Sequence, residues 1–90
     1  MNIQDKESKI RATVEALGWL PWLVDSESDL VIARRDDAPF KDRKYSTHRV
    51  LVAEFGRTGD IELNQFALIS GQYDLTLSEA LDSYIERRTN

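Results

Sequence analysis

Ninety residues are enough for one domain with one modest core, here residues 1–90 as a single α+β unit. Twelve basic against sixteen acidic residues leave a formal net charge of −4, which opposes a whole-surface affinity for nucleic acid. The chain has no cysteine, so disulfide stapling, thiol catalysis and cysteine-held zinc are excluded.

Charged residues make up 31% and hydrophobic residues 41% of the chain, the mixture of a globular domain and not of a disordered tail. The opening Met1-Asn2-Ile3-Gln4-Asp5-Lys6 has no basic region followed by an apolar run, so no signal peptide is expected. No apolar run approaches the ~20 residues of a membrane helix. A cytoplasmic protein without a membrane contact is the expectation. A core this small leaves little room for a deep internal pocket. A ligand-sized cleft is expected only between subunits or at a sheet edge.

Ile10, Val14 and Leu17 recur at i, i+4 and i+7, which predicts a helix over residues 3–17, with Ile3 one heptad earlier on the same stripe. Gly18 follows where a helix C′ residue adopts positive φ. Trp19 to Val24 reads as a short or edge strand, because Pro21 cannot donate to a ladder. Asp25-Ser26-Glu27-Ser28-Asp29 is a polar turn leading into a second strand, Leu30 to Arg34.

Arg35 to Thr47 reads as a loop. Arg49 to Phe55 predicts a third strand, with Val50 and Val52 on one face and Leu51, Ala53 and Phe55 on the other. Gly56 to Asp60 is of hairpin length. Ile61 to Ile69 is a fourth strand, whose phase change at Asn64-Gln65 suggests a bulge.

Thr76-Leu77-Ser78-Glu79 is a capping box with Thr76 as N-cap. Leu77, Leu81 and Ile85 predict the stripe of a C-terminal helix, with Arg87 and Arg88 at the negative end of its dipole. The expected fold is therefore a helix, a four-stranded antiparallel sheet made of two hairpins, and a C-terminal helix. Both helices are expected on one face of the sheet. The expected core is Ile10, Val14, Leu17, Val50, Val52, Leu63, Leu68, Leu81 and Ile85. Trp19 and Trp22 are expected in it too, and either one, if exposed, reads as an interface anchor.

Catalytic chemistry finds little support. His48 is the only histidine, and neighbours along a strand point to opposite faces, so Ser46 and Thr47 beside it do not make a catalytic group. A half-exposed residue at the start of a strand is expected there. Asp25, Glu27 and Asp29 lack the glycine and glutamate spacing of a calcium loop. Gly56 and Gly59 lack the lysine and following helix of a phosphate loop. No enzyme, cofactor or metal site is expected.

The segment 34–49 holds six basic residues (Arg34, Arg35, Lys41, Arg43, Lys44, Arg49) against three acids (Asp36, Asp37, Asp42), a local +3 in a negative protein. Phe40 and Tyr45 are interleaved with them. Aromatics among cations stack on single-stranded bases or anchor protein interfaces, and a solvated loop is the plain alternative. The expected binding residues are Arg34, Arg35, Phe40, Lys41, Arg43, Lys44 and Tyr45, with another protein as partner ahead of nucleic acid.

The closing run Gly71-Gln72-Tyr73-Asp74-Leu75-Thr76-Leu77-Ser78-Glu79-Ala80 resembles tails of small phage and mobile-element proteins, over about a tenth of the chain. The shared part is a strand exit and a helix cap, so it implies no activity or residue role. Size, charge and the lack of catalytic groups suggest a non-catalytic binding or regulatory protein, of the kind that phages use as inhibitors.

Overall fold

Gly18 takes φ +80°, and with it α1 (Ile3–Ala16) ends and the chain turns into β1 (Leu20–Asp25). A computed structural model describes residues 3–53 and 65–89. Then come β2 (Leu30–Arg34), β3 (Tyr45–Ala53), β4 (Gln65–Leu75) and α2 (Leu77–Thr89). The strands form one antiparallel sheet in the order β1-β2-β3-β4. Element order and sheet are those the sequence predicts. The turn expected at Gly56–Asp60, Phe55, the start of the fourth strand at Ile61, Leu63, and Asn64 of the expected bulge lie outside the described residues.

The two helices, expected on one face, take opposite faces. Antiparallel partners share a face and neighbours along a strand do not. Val31 lies opposite His48 and Ala33 opposite Ser46. Val31, Ala33 and Val50 form one cluster with Ile10 and Val14 of α1. Leu30 and Ile32 point the other way, to the face where α2 packs on β2 and β3. β2 is therefore buried on both sides, Leu30 through Ala33. Its continuous apolar run is the sequence mark of a strand covered twice.

That change moves the core. Leu17 is 52% exposed and Ile85 56% exposed, so neither is a core residue. Leu81 is half-buried. The deeply buried positions of α2 are Ala80 and Ser83. Small side chains there let the helix lie close to the sheet.

Two strands are longer than expected. β3 starts at Tyr45, because Ser46 and Thr47 are buried with hydrogen-bond partners and need no solvent. β4 runs past Ile69 to Leu75 and shifts register against β3 between Arg49 and Thr47 and again between Thr47 and Tyr45. Two residues of β3 oppose three of β4 at each shift, the mark of a bulge. Ser70 and Asp74 take φ of 53° and 57° there. β1 carries its own irregularity between Pro21 and Leu23, where proline interrupts the ladder.

The capping box forms as the sequence predicts. The Thr76 N–H donates to Glu79 Oε1 at 3.0 Å and the Glu79 N–H donates to Thr76 Oγ1 at 3.1 Å. Those bonds, with Arg43 nearby, hold the Glu79 carboxyl below its ordinary range. At the far end of α2, the Tyr84 hydroxyl donates to Asp25 Oδ2 at 2.7 Å and ties the helix to β1. Burial pushes the Asp25 carboxyl up, but the bonds from Tyr84 and Ser28, with Arg88 close by, together hold it below its ordinary value.

Candidate functional site

Pairing across three strands places Leu20, Arg34 and Tyr45 in one row on the α2 face, at the end of the sheet where the 35–44 connection emerges. Trp22 sits at the β1 irregularity and meets the Tyr45 ring edge-on, with centroids 6.0 Å apart. Trp22 is 39% exposed and Leu20 is exposed beside it. The Arg34 guanidinium is fixed in this row by Asp36, with Nε 2.9 Å from Oδ1 and Nη2 donating to Oδ2 at 3.1 Å. An apolar pair, an arginine held in shape and an aromatic edge make up this surface. Tryptophan, tyrosine and arginine are the residue types that carry most interface energy.

The seven residues predicted to bind do not form one patch. Arg34 and Tyr45 are cross-strand partners. Arg35, one residue on, turns to the α1 face. Phe40 is exposed at the tip of the connection, with Lys41 exposed next to it. Arg43 bends back: its Nη1 is 2.9 Å from Glu79 Oε1 and donates to the Asp74 carbonyl at 3.4 Å. Lys44 is half-buried and its carbonyl accepts the Arg35 N–H at 2.6 Å. With the Arg43 N–H on the Phe40 carbonyl and the Ala38 N–H on the Arg35 carbonyl, the segment is a braced connection. Arg43 of this connection and Arg34 at the end of β2 are neutralised by acids of this chain. Among the described residues, Lys41 and Lys44 make no ion pair.

On the opposite face Trp19, His48 and Tyr73 form an aromatic cluster. Trp19 stacks on His48 with centroids 5.5 Å apart and planes 20° apart. Tyr73 meets His48 at 5.2 Å and Trp19 at 6.2 Å, edge-on to both. His48 is 1% exposed, not half-exposed as expected, and its Nε2 is 2.8 Å from Ser46 Oγ. Burial, with Arg87 and Arg35 adding repulsion, lowers its pKa to about 4. The ring is therefore neutral at pH 7 and packs as an aromatic partner of both Trp19 and Tyr73.

The two tryptophans thus divide. Trp19 packs half-buried against the α1-face core, and Trp22 is exposed. A groove of about 510 Å³ lies at the β1 edge beside α1, lined by Arg11, Glu15, Trp19, Leu20, Pro21 and Arg34 among others. It lies at a sheet edge, where a small domain has room for one. Tyr73 and the Leu20–Arg34–Tyr45 row escape a reading along the sequence, because bulges and cross-strand register create both. Among the described residues no group of three or more histidines and carboxylates could hold a metal ion, and no helix is long and apolar enough to cross a membrane.

No family model, no curated protein and no solved structure matches the chain.

Proposed function

We propose that the chain is a non-catalytic binding protein that occupies a partner protein's surface through the Leu20–Arg34–Tyr45 row, with Trp22 as its central anchor. The observation that carries this reading is the exposed Trp22 edge-on to Tyr45 beside a braced arginine. An exposed tryptophan with a fixed neighbour presents large apolar area at little further cost in side-chain entropy. Nucleic acid is the weaker partner. Arg34 and Arg43 already face carboxylates of this chain, and Arg35 lies on aromatic rings on the other face.

The phage-inhibitor idea becomes a narrower one: binding at this row blocks a surface that the partner uses. A pull-down from a cell lysate, with and without nuclease, tests the reading. Capture that survives nuclease and is lost in Trp22→Ala supports it. Capture abolished by nuclease, or unchanged in Trp22→Ala, contradicts it.

A further inference from the structure

Arg35 sits in a corner that aromatic rings make. Its guanidinium carbon lies 5.1 Å from the Trp19 ring centroid and 5.2 Å from that of Tyr73. Those two rings stand at 72° to one another, so they form two walls. His48 stacks on Trp19 and braces Tyr73 from behind. Each wall is held by a specific local device. Trp19 follows the Gly18 turn, and its N–H reaches the Val14 carbonyl at 3.4 Å. Tyr73 is set between the bulged residues Ser70 and Asp74. Its ring folds over Gly71, where a Cβ would stand 2.7 Å from the ring atoms. Left-handed residues and bulges of this kind are retained where a side chain must be aimed.

The occupant fits the corner imperfectly. The Arg35 Nε is buried and has no hydrogen-bond acceptor among the described residues. It makes no ion pair among them either. What holds the guanidinium is attraction between a cation and ring faces. That attraction asks for positive charge and not for N–H groups. A quaternary ammonium group supplies the charge and leaves no N–H unsatisfied. Releasing Arg35 to water would also solvate its Nε.

We propose that the Trp19–Tyr73 corner is a binding site for a quaternary ammonium group, which Arg35 plugs in the free chain. His48, neutral in its buried seat, stacks on Trp19 and meets Tyr73 edge-on, so it supports both walls without repelling the ligand. Trp19 also lines the groove at the β1 edge, which gives the ligand's stem a path to solvent. Tyr73 is 48% exposed, so the corner opens outward on its other side. The corner itself lies on the face opposite the interface proposed above, while the groove beside it shares Leu20 and Arg34 with that interface.

The test is an NMR titration of the 15N-labelled protein with tetramethylammonium chloride, read at the Trp19 indole N–H and corrected by sodium chloride at equal ionic strength. The wild-type chain should show a weak, saturable shift, because Arg35 competes for the corner. Arg35→Gln removes the plug, and Arg35→Lys weakens it in case glutamine disturbs the fold. Each should bind about 10-fold more tightly or better, since the binding-competent population rises. Tyr73→Ala should abolish saturation, and Gly71→Ala, which must move the Tyr73 ring, should weaken binding. Repeating the titration with free trimethyllysine and with choline separates a methylated side chain from a small metabolite as the source. Tighter binding of either one supports the site. Shifts no larger than those from sodium chloride, no gain in either Arg35 variant, or saturation that persists in Tyr73→Ala would overturn it.

Discussion

Thr47 of β3 and Ser83 of α2 join hydroxyls at 2.9 Å, on the face of the sheet that α1 does not cover. Ser83 in turn donates to Gln72 Oε1 at 2.6 Å, so Thr47 is the donor in the first bond. Both hydroxyls are buried, which makes this short chain a polar seam between helix and sheet. Removing one member leaves a buried partner unsatisfied, at about 1–3 kcal/mol. Ser83→Ala should therefore cost in that range by urea unfolding. Adding Thr47→Val removes the orphaned donor and should recover part of the loss. A double variant that loses the sum of the two single losses would show that the seam is not coupled.

The hydrophobic positions divide into two classes that thermal unfolding can separate. Ile10 is fully buried against β2 and β3, and Ile10→Ala should cost about 2–5 kcal/mol. Ile85→Ala, at an exposed site, should stay within about 0.5 kcal/mol. Equal losses would contradict the packing of α2 through Ala80 and Ser83.

Element order, sheet and both helix boundaries were legible in the sequence because local chemistry marks them. Gly18 ends α1, and Thr76 with Glu79 starts α2. The side of the sheet that each helix takes was not legible. The Leu77–Leu81–Ile85 stripe is the most apolar line on α2, yet the helix turns Ala80 and Ser83 to the sheet, where the Ser83 hydroxyl bonds Thr47 of β3. Of the residues proposed to bind, Arg34 and Tyr45 were legible as members of a basic and aromatic run. Their partners Leu20 and Trp22 come from register, and Tyr73 comes from two bulges that no local motif announces.

The N-cap of α2 gives the simplest stability check. Thr76→Ala removes the acceptor for the Glu79 N–H and should cost roughly 0.5–2 kcal/mol. It also loosens Glu79, the partner of Arg43, so amide exchange should rise near Arg43 as well as in the first turn of α2. Faster exchange in the helix alone would mean that the 35–44 connection is held by other contacts.

His48 makes stability depend on pH in a predictable direction. Its folded pKa of about 4 lies below the ordinary 6.5, so the unfolded chain binds a proton that the folded chain refuses between those values. Its contribution is complete above pH 6.5 and is lost as pH falls toward 4. The loss attributable to this residue is about 3 kcal/mol at pH 4. Acidic residues add their own dependence, so the measure is the difference between wild type and His48→Gln in urea midpoints at pH 7 and pH 4.5. The variant should lose less stability over that interval. An NMR titration should show the His48 ring neutral down to about pH 5, and a ring pKa near 6.5 would contradict its burial.

In the proposed function, binding rests on the Trp22–Tyr45 pair and not on the basic side chains of the 35–44 connection. The direct measurement is the affinity of the captured partner for Trp22→Ala and Tyr45→Ala, set against the Lys41→Ala/Lys44→Ala pair, at two salt concentrations. A buried aromatic anchor predicts that each aromatic change weakens binding at least ~30-fold, about 2 kcal/mol or more. The lysine pair should act mainly on the association rate. Two phosphate contacts on a single strand would instead give a log–log salt slope of about −1.4 that the lysine pair removes. Silent aromatic changes, together with salt-dependent loss in the lysine variant, would contradict the account.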